Sequence, residues 1–431
     1  MLTDMAVTTA RQRTPLGPAY WRLWWASAVS TTGDGVLVAA LPLLAVTLTK
    51  NPLMISLVTA AEFLPWLLLS LPVGLMVDRH DRATLMWRAQ VLQGSVIGVL
   101  AVLVLARWTD IAVLSVAAFG LGVGEVVFSN ASQSVLPQLV RADQLPAANG
   151  NQYAVQTIGQ EFAGPPLGSL LFTAAARTVP FGLAAVSFAG SAALLTRLPK
   201  HPPESVPDGT GRSRVAEGLR WLLGHRLLRV VAVLLGVSSF ANTMGLATLV
   251  LLVTETLKLN SRFYGLLLAA AAVGSVLGGL LNPRLTRRLG QVPSLVIAMG
   301  AVSVIYIGIG LAPNAPVLAA LEVGNGFVVT MWNIVTVTLR QRLVPNDMLG
   351  RVNSAYRMIG WGLMPVGAVA GGFVAHTASL HVPYAPGLRA PYVIAGVLCG
   401  VATLAAWPLL RGGAGQPEQP GIVPTGSQLS G

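Results

Sequence analysis

The sequence predicts an all-α integral membrane protein whose twelve transmembrane helices form two pseudo-symmetric six-helix bundles. Three observations carry the prediction. Hydrophobic residues fill 54% of the 431 positions and charged residues only 10%, against about 25% charged in an ordinary soluble domain. The apolar residues arrive in blocks of about twenty, long enough to cross roughly 30 Å of hydrocarbon as helices. Loop positions of the first half also recur in the second half at a nearly constant offset.

Taken in order, residues 1–19 form a mixed tail without the apolar core and small-residue site of a cleaved leader, so the first span is expected to stay in place. Spans are expected near 20–48, 54–77, 84–106, 111–137, 147–175 and 179–198, which makes 20–198 the N-terminal bundle. Residues 199–226 form a linker. Its first part, Pro199 to Gly211, is rich in Pro and Gly; its second places Val215, Leu219, Leu222 and Leu223 at helical spacing, as an interfacial helix does. Spans near 227–255, 262–285, 291–312, 315–342, 350–376 and 390–411 complete a C-terminal bundle over 227–411, followed by a tail, 412–431.

The formal net charge of +12 does not point to nucleic acid, because the basic residues are scattered between apolar blocks and make no contiguous patch. They follow topology instead. With the N-terminus inside, only six of the 28 Lys and Arg residues fall in outer loops: Lys50, Arg107, Arg177, Lys258, Arg262 and Arg389. That asymmetry supports an even number of spans, with both termini on the cytoplasmic side of a bacterial-type cell membrane. The lone cysteine, Cys399, lies within the last apolar block and allows no internal disulfide.

The two halves echo one another. Asp143, Leu145, Asn149 and Gly168 recur 204 residues later as Asp347, Leu349, Asn353 and Gly372, and Gly74, Arg79 and Arg82 recur at 205 as Gly279, Arg284 and Arg287. Such an internal repeat is the symmetry from which transporters are built.

The stretch Gly74 to Arg82, GLMVDRHDR, follows the second span and resembles the loop signature of the major facilitator superfamily, with Asp81 in place of a usual glycine. GPPLG at Gly164–Gly168 resembles the antiporter motif of its drug-exporting members, although Gln160 and Ser169 replace two glycines of the full pattern. Together with TTGDG in the first span and the loops PQLVRADQLPAANG and RLVPNDMLGRVNSAYR, these are most similar to the third drug:proton antiporter family, which includes macrolide, multidrug and siderophore exporters. The resemblance covers Tyr20 to Arg411. It implies a gating role for Gly74, Asp78, Arg79 and Arg82 as a clamp that switches, and for Gly164, Pro165 and Gly168. It also implies that spans 1, 2, 4, 5, 7, 8, 10 and 11 line a central cavity while 3, 6, 9 and 12 face outward.

Five carboxylates lie within the spans, Asp34, Glu62, Glu125, Glu161 and Glu322, and all five fall on spans implied to line that cavity. A carboxylate in low dielectric is costly unless protonated, paired or hydrated, so such residues usually mark a water or substrate path. Desolvation favours the protonated form of any carboxylate, which suits cyclic proton exchange. Asp34, Glu125 and Glu161 are the candidate proton carriers. Asp34 ranks first because Gly33 and Gly35 are expected to loosen its helix and let water or ligand reach the backbone.

Candidate substrate contacts are Asp34, Glu62, Phe63, Asn242, Glu322, Trp332, Asn333 and Trp361. With acids but no mid-span bases, the cavity should favour cationic or neutral amphiphiles; Arg357, about two turns into the eleventh span, is the exception. The bland reading of each acid is a protonated side chain bonded to a neighbouring helix, and of each aromatic residue simple packing.

A nucleotide-driven pump is not encoded, because a phosphate-binding loop needs Gly-Lys and the three lysines follow Thr49, Pro199 and Leu257. A membrane enzyme finds no support: there is no HExxH or G-x-S-x-G, and His80, His201, His225, His376 and His381 share no helical face. No metal and no cofactor is expected. The sequence thus points to a monomeric, proton-coupled exporter of small molecules working by alternating access. A dedicated exporter of one endogenous metabolite or siderophore is the alternative.

Overall fold

The fold, a computed structural model, describes residues 16–199, 210–345 and 348–413. The first half contains α1 (Pro18–Leu48), α2 (Pro52–Arg79), α3 (Arg82–Ala106), α4 (Ile111–Leu139), α5 (Leu145–Gln156), α6 (Gly164–Ala174) and α7 (Val179–Leu195), with a π-turn, Thr157–Ala163, joining α5 to α6. The second contains α8 (Thr210–Gly224), α9 (Arg226–Leu251) with a π-turn at Leu252–Thr256, α10 (Arg262–Leu289), α11 (Gln291–Leu311), α12 (Ala315–Leu343), α13 (Leu349–Gly362), α14 (Met364–His381), α15 (Tyr384–Gly387) and α16 (Ala390–Gly413).

Local chemistry sets the helix ends. Asp81 accepts from the Thr84 amide at 2.7 Å and starts α3, Asp110 accepts from the Val113 amide at 2.8 Å and starts α4, and Asn314 accepts from the Val317 amide at 3.1 Å and starts α12. Asp81, where the loop signature usually carries glycine, is therefore a helix cap. Proline explains two interruptions. Pro165 and Pro166 offer no amide hydrogen to the carbonyls a turn earlier, and the helix widens into the π-turn just before them; Pro365 likewise lacks a donor at the one-residue break between α13 and α14. The two breaks fall at equivalent places in the repeat.

Among the described residues, ten helical units are long and apolar enough to cross a membrane. The remaining two segments expected to span are different in kind: α7 is a shorter apolar helix of 17 residues, and the α5–α6 unit is diluted by Gln160, Glu161, Pro165 and Pro166. Large apolar side chains such as Val102, Leu105, Val186, Val304 and Leu404 are more than 60% exposed on the outer faces, a surface that hydrocarbon covers and water does not.

The packing repeats with the sequence. In the first half α1 lies on α6 and α7, α3 on α4 and α7, and α2 on α4; in the second α9 lies on α14 and α16, α11 on α12 and α16, and α10 on α12. Between the halves, α2 meets α14 and α13, while α10 meets α6 and its π-turn. Glycine permits the closest approach. A Cβ on Gly265 of α10 would lie 2.6 Å from the carbonyl carbon of Pro165, so no larger residue fits that junction unless the halves shift.

The linker expected at 199–226 falls partly outside the described residues, as do the tails at 1–15 and 414–431 and the repeat residue Asp347. Its helical part is α8, which docks on α13 through an ion pair of Glu217 with Arg351 at 2.8 Å. Cys399 is fully buried in α16.

Candidate functional site

A cavity of about 380 Å³ opens between α1, α4 and α5, lined by Thr31, Asp34, Glu125, Gln133, Gln152 and Gln160 among others. Two of the three candidate proton carriers therefore share one polar space. The Glu62 carboxylate, half-buried on α2, lies within electrostatic reach of both Asp34 and Glu125. None of these three acids forms an ion pair with Lys or Arg among the described residues.

Gly33 and Gly35 do something other than loosen α1, which runs unbroken through them. A Cβ on Gly33 would lie 3.0 Å from the Ser187 Cβ on α7, and one on Gly35 would lie 2.9 Å from the Gln160 Cα on the π-turn. Each glycine admits a neighbouring helix, and the backbone at Asp34 is covered by protein. The GPPLG segment continues the same seam: Cβ atoms on Gly164 and Gly168 would meet the Gly35 Cα at 2.5 Å and the Val36 Cα at 2.9 Å. Pro165 faces Gly265 across the two halves.

Glu161 sits apart. It is exposed on the π-turn and does not line the cavity, whereas its neighbour Gln160 does. Glu125 has a neighbour that the sequence reading missed: Gln93 of α3 lies beside its carboxylate, donates to the Leu121 carbonyl at 3.5 Å and accepts from Gln90 at 3.2 Å. Both glutamines are at most 1% exposed. Two Gln at i and i+3 in an apolar span was the available signal; assigning that span to the outside hid it.

The remaining candidates divide into three places. Glu322, buried on α12 beside Asn325, lies within electrostatic reach of Tyr264, Tyr306 and Tyr392, and Asn242 donates to the Tyr306 hydroxyl at 3.1 Å. Trp361 meets Trp66 of the first half with ring centroids 3.7 Å apart, while Phe63 is half-buried one turn before Trp66. Trp332 is buried and Asn333, its neighbour, is exposed.

Of the loop signature, Arg82 donates to the Ser134 carbonyl at 3.0 Å within the first half, Arg79 is exposed, and Gly74 has open space around its Cβ position. The side chain of Asp78 lies outside the described residues.

The family model described as transmembrane secretion effector matches residues 12–406. The chain belongs to this family of the major facilitator superfamily. Other members and relatives agree with that placement. The chain is 25% identical over 384 residues to the multidrug efflux pump Tap of Mycolicibacterium fortuitum, covering 87% of this chain and 93% of the relative. It is 24% identical over 348 residues to the enterobactin exporter EntS of Shigella boydii serotype 4, covering 79% and 81%. A crystal structure of a variant of the nucleoside transporter NupG superposes with a TM-score of 0.76 at 10% identity, over 91% of this chain and 99% of that one. A bacterial homologue of the iron transporter ferroportin, in its inward-facing state, gives 0.69 at 16% identity, over 91% and 99%. This member of the transmembrane secretion effector family is thus a multi-pass membrane transporter with the major facilitator fold.

Proposed function

We propose that the protein exports small amphipathic compounds, cationic or neutral, in exchange for protons. The observation that carries this reading is the shared cavity of Asp34 and Glu125, with Glu62 in reach and no cationic partner among the described residues. Repulsion among three carboxylates in a desolvated pocket is relieved when one takes up a proton or when a substrate cation enters, so the two occupants compete for one charge. That competition is what exchange requires. Asp34 is the primary carrier, Glu125 its partner, and Glu161 a carrier only in a state that turns it inward. Glu62, Phe63, Glu322, Asn242, Trp332, Asn333 and Trp361 contact substrate at different stages.

In this reading the chain crosses a bacterial cell membrane twelve times as two six-helix bundles, 20–198 and 227–411, with both termini and the linker in the cytoplasm. The bundles rock about the central site as a monomer. Gly164, Pro165 and Gly168 act in gating where α6 meets α1 and α10, and Gly74, Asp78, Arg79 and Arg82 act at the other end.

The test is purified protein in liposomes under a pH gradient, with proton flux followed as cationic dyes or macrolides are added. Drug-triggered flux that is lost in Asp34→Asn supports the exchange and its carrier. Flux unchanged in that variant removes Asp34 from the role, and no flux with any compound counts against proton exchange of drugs. The likeness to an enterobactin exporter favours a second reading, export of one endogenous metabolite; deleting the gene would then raise the internal level of that metabolite and leave drug susceptibility unchanged.

A further inference from the structure

We propose that the inner ends of α12 and α13 form an oxyanion subsite, built around Arg340 and Arg357, that takes the carboxylate or phosphate of a bound amphiphile. The inference deepens the transport reading by adding an anionic group to the preferred substrate class.

Arg340 is only 9% exposed, yet no carboxylate pairs with it among the described residues, and its Nε has no hydrogen-bond acceptor. A buried unpaired guanidinium is among the costliest groups a fold can hold. Two compensations are present. Arg340 lies in the last turn of α12, where carbonyl ends attract a cation, and its guanidinium carbon sits 3.8 Å from the ring centroid of Tyr356. Neither supplies an acceptor for Nε.

The surroundings add donors and charge instead of relieving them. The Trp332 indole and the Thr336 and Tyr356 hydroxyls lie beside one another, and neither the indole nor the Tyr356 hydroxyl makes a hydrogen bond of full geometry. Arg357, next in the chain to Tyr356, is a second guanidinium within electrostatic reach of Arg340. Two like charges thus lie near one another beside an unpartnered Arg340 Nε, and an oxyanion would both neutralise the charges and supply the acceptor that Nε lacks.

Arg357 also connects this place to the cavity. It donates to the Gln133 side-chain oxygen at 2.9 Å, and Gln133 lines the cavity with Glu125. Glu125 and Gln133 are two turns and a little more apart on α4, about 12 Å along its axis. The acids at one end and the guanidinium pair at the other suit an elongated zwitterion, cation toward Asp34 and anion toward Arg340.

The test uses two dyes that differ at one group, rhodamine 110 with a free carboxylate and rhodamine 123 as its methyl ester. Binding to the full chain in nanodiscs of phosphatidylcholine is read by fluorescence anisotropy. Wild type should prefer the free acid by about tenfold. Arg340→Gln and Arg357→Gln should each bring that ratio to about one, and Arg340→Lys should keep part of it. Equal affinities in wild type, or a preference that survives both Gln variants, overturns the subsite while leaving the transport reading in place. If neither dye binds wild type, the amphiphile reading fails for this class and the subsite is decided separately by phosphatidylglycerol. A rise in melting temperature with that lipid, lost in Arg340→Gln, supports the subsite with a lipid phosphate as its source; no rise overturns it.

Discussion

Lys50 and Glu255 stand 205 residues apart at matching positions of the two halves and form an ion pair with each other. Positions one repeat offset apart thus carry opposite charges, so the pair draws the two segments together instead of repelling them. Tyr384 reinforces it by donating to the Lys50 carbonyl, and Thr256 donates to the Ala385 carbonyl at 3.1 Å.

The Lys50 side chain is 58% exposed and that of Glu255 21%, so the pair contributes at most about 1 kcal/mol. Lys50→Ala is expected to raise the population parted at this end by up to about fivefold. The double charge swap, Lys50→Glu with Glu255→Lys, should restore the wild-type population. Distances between spin labels at the adjoining ends of α1 and α9 measure both.

Asp34→Asn and Glu125→Gln should each abolish drug-driven proton flux in liposomes, because both side chains face the same cavity. Glu161→Gln should retain most of it, because that carboxylate is exposed elsewhere. Flux equally impaired in all three would place Glu161 in the cavity in another state of the cycle.

Replacing Gly265 by Leu puts side-chain carbon where the Pro165 carbonyl now lies. The variant should fold, since the strain is relieved by parting α10 from α6, and should favour the state open on that side. Ser169, which donates to the Arg262 carbonyl at 3.2 Å across the same seam, should lose that bond. Single-molecule distance measurements across α6 and α10 report the shift.

Gln93→Leu removes a polar neighbour of Glu125 and the acceptor of a buried bond, stranding the Gln90 amide. The expected loss is about 1–3 kcal/mol of stability, seen as a lower melting temperature. Gln93→Glu, which sets a second carboxylate against Glu125, should be worse than Leu and improve as the pH falls.

Most of the helices were legible because membrane insertion demands long apolar blocks whatever the tertiary packing. The cavity acids Asp34 and Glu125 were legible for a related reason: a carboxylate in such a block calls for an explanation. What stayed hidden depended on neighbours far away in the chain. Gly33 and Gly35 read as flexibility because Ser187 and Gln160, the groups they admit, are invisible in a local window. Lys50 read as a topology residue because its partner, Glu255, comes from the other half. Arg340 gave no sequence signal of its own, since its burial arises from packing against Tyr356.

The π-turn at Thr157–Ala163 has a consequence for descent. A π-turn holds one residue more than the α-turn it replaces, so the segments on either side of it are out of step by one position. A relative whose helix is regular here would present a different side chain to the cavity from the same aligned column, with Glu161 or its equivalent standing where Gln160 stands now. Removing one residue from this turn is expected to rotate Glu161 relative to the cavity, with every acidic residue of the sequence unchanged.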